Sequence, residues 1–102
     1  MIPAIEEHRA ELEELCRFHH VRSLSLFGSA TRDDFDPARS DLDFLVEFET
    51  LPIGQYAEAF FGLLESTERL FGRPVDLVVA SAIRNPYFRQ SVDQTKTLLY
   101  AA

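Results

Sequence analysis

Three aspartates and a Gly-Ser pair carry the chemistry that this chain is built to do. Asp41 and Asp43 stand two residues apart, interleaved with Leu42, Phe44, Leu45, Val46 and Phe48. Side chains of a strand alternate faces, so a strand from Asp41 to Phe48 turns both carboxylates one way and Leu42, Phe44, Val46 and Phe48 the other. Asp76 lies in a second apolar run, Val75 to Val79, and is expected to share its face with Val78 while Val75, Leu77 and Val79 take the other. Two like charges about 5 to 6 Å apart repel by roughly 3 kcal/mol at an effective dielectric near 20, and a third adds to the repulsion. A divalent cation removes that cost. Hard oxygen ligands of this kind suit Mg2+, which takes one or two protein carboxylates and completes its octahedron with water and substrate phosphates.

Upstream, the run Ser25-Leu26-Phe27 ends in Gly28-Ser29. Gly28 has no side chain to keep a triphosphate off the backbone. Ser29 offers a hydroxyl and an N–H where a short helix is expected to start, and anions are favoured there. Arg32, one turn on, is placed either to reach a phosphate oxygen or to pair with Asp33, Asp34 or Asp36. These parts fit phosphoryl or nucleotidyl transfer from a nucleoside triphosphate, with Asp41, Asp43 and Asp76 as catalytic and metal-holding residues and Gly28, Ser29 and Arg32 on the nucleotide. Asp76 is expected either to complete a second metal site or to accept the proton of an acceptor hydroxyl, and the two roles are compatible. Each residue also has a plainer reading: an acidic strand edge for Asp41 and Asp43, a helix cap for Ser29. His19-His20 is not read as a metal pair, because adjacent residues at a helix end point apart.

The elements that must position this site follow from periodicity. Pro3 to His19 is predicted as one amphipathic helix, with Ile5, Leu12, Leu15, Cys16 and His19 on its apolar stripe and glutamates elsewhere. Val21 to Phe27 is a strand, residues 33 to 40 a loop, and Asp41 to Phe48 a strand. Ile53 to Phe71 shows the i, i+3, i+4 pattern of a helix, closed by Gly72 and Pro74. Val75 to Val79 is a third strand, Asn85-Pro86 starts a helix running to about Asp93, and Thr97 to Tyr100 is an edge strand. The expected class is α+β: a small mixed sheet of three to four strands with helices packed mainly on one face, forming a single domain over residues 1–102. Phe61 and Tyr56 are expected in an exposed apolar patch, with Tyr87, Phe88 and Tyr100 as further members.

Composition bounds the partners. The 102 residues are 46% hydrophobic and 26% charged, ordinary for a globular protein. A net charge of −7 repels a polyanion, so no direct nucleic-acid surface is expected. One cysteine, Cys16, excludes an intrachain disulfide. Neither a secretory leader nor a membrane span is read in the sequence, and the expected location is the cytoplasm.

Leu26-Phe27-Gly28-Ser29, Asp41-x-Asp43 and Val75-Asp76-Leu77-Val78 together resemble the minimal nucleotidyltransferase family of the DNA polymerase β-like superfamily. The resemblance covers nearly the whole chain. The link from Ala30 to Ser40 is one residue longer than the family's usual spacing, and Ala30-Thr31-Arg32-Asp33 replaces a more basic stretch. The resemblance implies an Mg2+-dependent enzyme, using two ions, that transfers AMP from ATP to a tyrosine of a HEPN-type ribonuclease toxin and serves as its antitoxin in a hetero-oligomer. Larger members that modify aminoglycosides have an added acceptor domain, whereas here a separate chain is expected to position the acceptor. Two further readings stay open: a binding module that silences the toxin by occlusion, and nucleotidyl transfer to a small-molecule hydroxyl.

Overall fold

The computed structural model describes residues 3–28 and 41–102. Its elements are α1 (Pro3–Glu7), α2 (Arg9–Phe18), β1 (Val21–Phe27), β2 (Leu42–Phe48), α3 (Gln55–Phe71), β3 (Val75–Val79), a 3-10 turn (Ala80–Ala82), α4 (Pro86–Thr95) and β4 (Thr97–Ala101). The expected single leading helix is in fact two. Its path bends at His8 (φ −112°, ψ 20°), with Ile5 before the bend and Leu12 after it both completely buried. The His8 ring meets Phe71 edge-on, 6.0 Å between centroids.

The four strands are ordered β3-β2-β1-β4. β1 runs antiparallel to both β2 and β4, and β2 pairs with β3 in parallel. The α+β class and mixed sheet read from the sequence are those observed. Alternation sorts the side chains as expected: Leu24 and Leu26 of β1, Leu42, Phe44, Val46 and Phe48 of β2, and Val75 and Leu77 of β3 join Ile5, Leu12, Cys16, Ala59 and Leu63 in one core beneath α1, α2 and α3. Thr67 is fully buried in α3, where its hydroxyl donates to the Leu63 carbonyl at 2.8 Å, so burial leaves it satisfied. Gly72 ends α3 in the left-handed conformation (φ +65°), its N–H bonded to the Glu68 carbonyl.

Among the described residues, the helix that covers the opposite face is α4. Asn85 caps α4, its side-chain oxygen accepting from the N–H groups of Tyr87 and Phe88 at 2.9 and 3.3 Å. Val92 of α4 is buried against Phe27 and Leu45, with Val78, Ala80 and Ile83 alongside. Phe88 meets Phe27 edge-on at 6.1 Å. No helix among the described residues is long and apolar enough to cross a membrane.

Candidate active site

β2 and β3 are aligned so that Asp43 lies directly across from Asp76, one step after Leu42 and Val75. In a parallel pair, residues in register show the same face, so both carboxylates stand on the face away from the main core. Register alone thus brings together side chains 33 residues apart in sequence. On the other side of β2, Phe27 is the partner of Asp43, which places Gly28, the next residue, at the same end of the sheet.

Gly28 adopts φ +73°, where a side chain is strained, and a Cβ built on it would overlap Oδ2 of Asp43. The Asp43 carboxylate thus occupies the space a side chain at residue 28 would take, and a larger residue there would have to displace it. Its N–H donates to Oγ1 of Thr95 at 3.3 Å. Asp43 is half-buried and Asp76 exposed. Burial pushes the Asp43 carboxyl above the usual carboxylate range, and the charges of Asp76 and then Asp41 push it further. Burial is the larger cause, and the neighbouring carboxylates add to it by like-charge repulsion.

Asp41 differs from its expected place. The strand starts at Leu42, so Asp41 precedes the ladder and is exposed, within electrostatic reach of Asp43. The ladder starts there because Leu42, not Asp41, has a partner on β3; its N–H also donates to the Pro74 carbonyl at 3.2 Å. Among the described residues no set of three or more His, Cys, Asp or Glu forms a ready-made metal cage. The pair Asp43 and Asp76, with Asp41 nearby, still suits Mg2+, for which one or two protein carboxylates suffice. Ser29, Arg32 and the link from Ala30 to Ser40 lie outside the described residues.

The histidines divide as expected. His19 is within 3.3 Å of the Ser66 hydroxyl and its ring lies against Gly62, while His20 is exposed in a left-handed turn (φ +61°). Burial, and then His20, lower the pKa of His19. Tyr56, Phe61, Tyr87 and Phe88 are exposed as anticipated, and the half-buried Tyr100 packs on the main core. Thr95 was not singled out by the sequence. A threonine at a helix end is common, and nothing in its local pattern points to a turn 67 residues away.

Comparison with known proteins identifies the family and the fold. Residues 5–99 match the nucleotidyltransferase domain family. A protein of Methanocaldococcus jannaschii, provisionally named a protein adenylyltransferase, is 37% identical over 90 residues, 88% of this chain and 85% of its own. The protein adenylyltransferase MntA of Thermococcus cleftensis is 40% identical over 78 residues, 76% of this chain and 72% of its own. A solved structure assigned as a minimal nucleotidyltransferase superposes with a TM-score of 0.73 at 30% identity, covering 91% of this chain and 90% of that one. A structure from the complex of tri-AMPylated HEPN toxin with MNT antitoxin of Shewanella oneidensis shares the fold, with a TM-score of 0.64 at 20% identity over 95% of this chain and 72% of that one.

Proposed function

The chain belongs to the nucleotidyltransferase domain family, and from that premise we propose that it transfers AMP from ATP to a tyrosine hydroxyl of a HEPN-type ribonuclease toxin, as the cytoplasmic antitoxin of that pair. The observation that carries the reading is the register match of Asp43 with Asp76 beside a left-handed glycine whose side-chain space the Asp43 carboxylate fills. Relatives named protein adenylyltransferases support the protein acceptor. A shared fold with MNT chains solved beside HEPN toxins supports the partner.

Asp41, Asp43 and Asp76 would hold Mg2+. The donor set fits, since mutually repelling carboxylates with a raised Asp43 pKa gain most from a cation. When bound, Mg2+ neutralises phosphate charge and eases deprotonation of the acceptor hydroxyl. Gly28 lets the triphosphate approach the backbone, with Ser29 and Arg32 proposed on its oxygens. In the transfer, a bond forms between the phenolic oxygen and the α-phosphorus while the bond to the departing pyrophosphate breaks. The phenolic proton leaves toward the carboxylate pair, with Asp76, the more exposed of the two, as its acceptor.

The test is incubation of the protein with ATP, Mg2+ and the HEPN-type protein encoded beside it, read by intact mass. The expected result is an added AMP group on the partner and none with Asp43→Asn/Asp76→Asn. A double variant that still silences the toxin with no added mass would instead establish occlusion. Transfer by the double variant at the parent rate would refute the site.

A further inference from the structure

We propose that Thr95 is a positioning residue for nucleotidyl transfer: its hydroxyl latches the Gly28 turn to α4 and so fixes the backbone that meets the triphosphate. This rests on the reading of the Gly28 and Asp43 region as the transfer site.

The direction of the hydrogen bonds decides what Thr95 does. Its Oγ1 lies 3.2 Å from the Ser91 carbonyl and 3.4 Å from the Val92 carbonyl, both acceptors only. The single hydroxyl proton is therefore directed into α4. The lone pairs are left for the Gly28 N–H, 3.3 Å away, which can only donate. Side chain and backbone are thus matched in polarity without ambiguity.

Rigid packing stands behind the latch. Val92, one turn before Thr95, is buried against Phe27 and Leu45, the Phe88 ring abuts Phe27, and the Arg89 guanidinium donates to the Ala80 carbonyl at 2.6 Å. α4 is thereby held both to the strand that ends in Gly28 and to the turn that follows β3. Oδ2 of Asp43 fills the space a Cβ on Gly28 would take, and Oγ1 of Thr95 accepts from its N–H. A residue at φ +73° has other backbone conformations open to it when it is glycine, and its hydrogen bond to a packed helix disfavours them. The latch acts on substrate through Gly28 and touches no reacting atom.

Thr95→Val keeps shape and branching and removes the acceptor, whereas Thr95→Ser keeps it. Three measurements follow: hydrogen exchange of the Gly28 amide, the melting temperature, and KM and kcat for ATP in AMP transfer. Loss of one hydrogen bond predicts Gly28 exchange faster by about 2- to 10-fold and a KM higher by a similar factor in the valine variant, with kcat within about 2-fold. Serine restores both. A structural role alone would lower the melting temperature in the valine variant and leave KM and Gly28 exchange at parent values, and that result overturns the proposal, as does a serine variant no better than valine. Should the parent transfer no AMP, the nucleotidyl reading fails, while Gly28 exchange still reports whether the latch exists.

Discussion

The two faces of the sheet are made from the same strands and do opposite things. Toward α1, α2 and α3, Leu24, Leu26, Leu42, Phe44 and Val46 are almost wholly excluded from water and belong to one apolar cluster. Toward the other side, the alternate residues of those strands include Ser23, Ser25, Asp43 and Asp76, and α4 covers part of that face through Val92, packed on Phe27 and Leu45. Stability is concentrated on the first face, and the second is the one proposed for chemistry. Carboxylates that repel one another would be costly within a core, and the proposed cation and nucleotide would meet them on the face away from it.

The largest expected effect comes from breaking the closed face. Phe44→Ala removes a fully buried ring and should destabilise by about 3 to 5 kcal/mol in denaturant unfolding. Asp43→Asn, its neighbour on the open face, should unfold no more easily than the parent in the absence of Mg2+, because it removes a charge that its surroundings disfavour. Equal losses for the two variants would erase the distinction between the faces.

Gly28→Ala comes next. The left-handed conformation costs a side chain roughly 1 to 2 kcal/mol, and the added Cβ must displace the Asp43 carboxylate. Denaturant unfolding should show that modest loss, with a much larger fall in AMP transfer. An alanine variant as active as the parent would show that the close approach is dispensable.

Much of this division is legible in the sequence. The parity of Asp43 against Phe44 and of Asp76 against Leu77 is enough to predict one apolar and one acidic face, and β1 and β3 have the bounds expected from their apolar runs. Register is what single-strand parity lacks: that Asp43 faces Asp76 and not a neighbour two residues away depends on how two strands pair. The bend at His8 is invisible to helical periodicity, which continues through it. Asp41 lies outside the strand because pairing starts at Leu42, a boundary set by β3 and not by residue 41. Least visible of all is the bond from Gly28 to Thr95, which exists only because α4 crosses the open face.

The smallest effect concerns pH. The folded-state pKa of Asp43 is raised, so without Mg2+ the folded protein binds its proton more tightly than the unfolded chain. That stability is fully present below the ordinary carboxylate range and is lost as pH rises through the raised value. Mg2+ binds the ionised form, so its stabilising effect should run the other way. The gain in melting temperature on adding Mg2+ should be small near pH 4 and grow toward neutral pH. A gain independent of pH would remove Asp43 from the metal site.

The most direct measurement is the intact mass of the HEPN-type partner over time, with ATP and Mg2+, using the parent protein and its Asp43→Asn/Asp76→Asn variant side by side. The account predicts addition of AMP by the parent and a rate at least about a thousandfold lower for the variant, the several kcal/mol of charge stabilisation that the carboxylate pair and its cation would supply. Equal rates for the two proteins would contradict it.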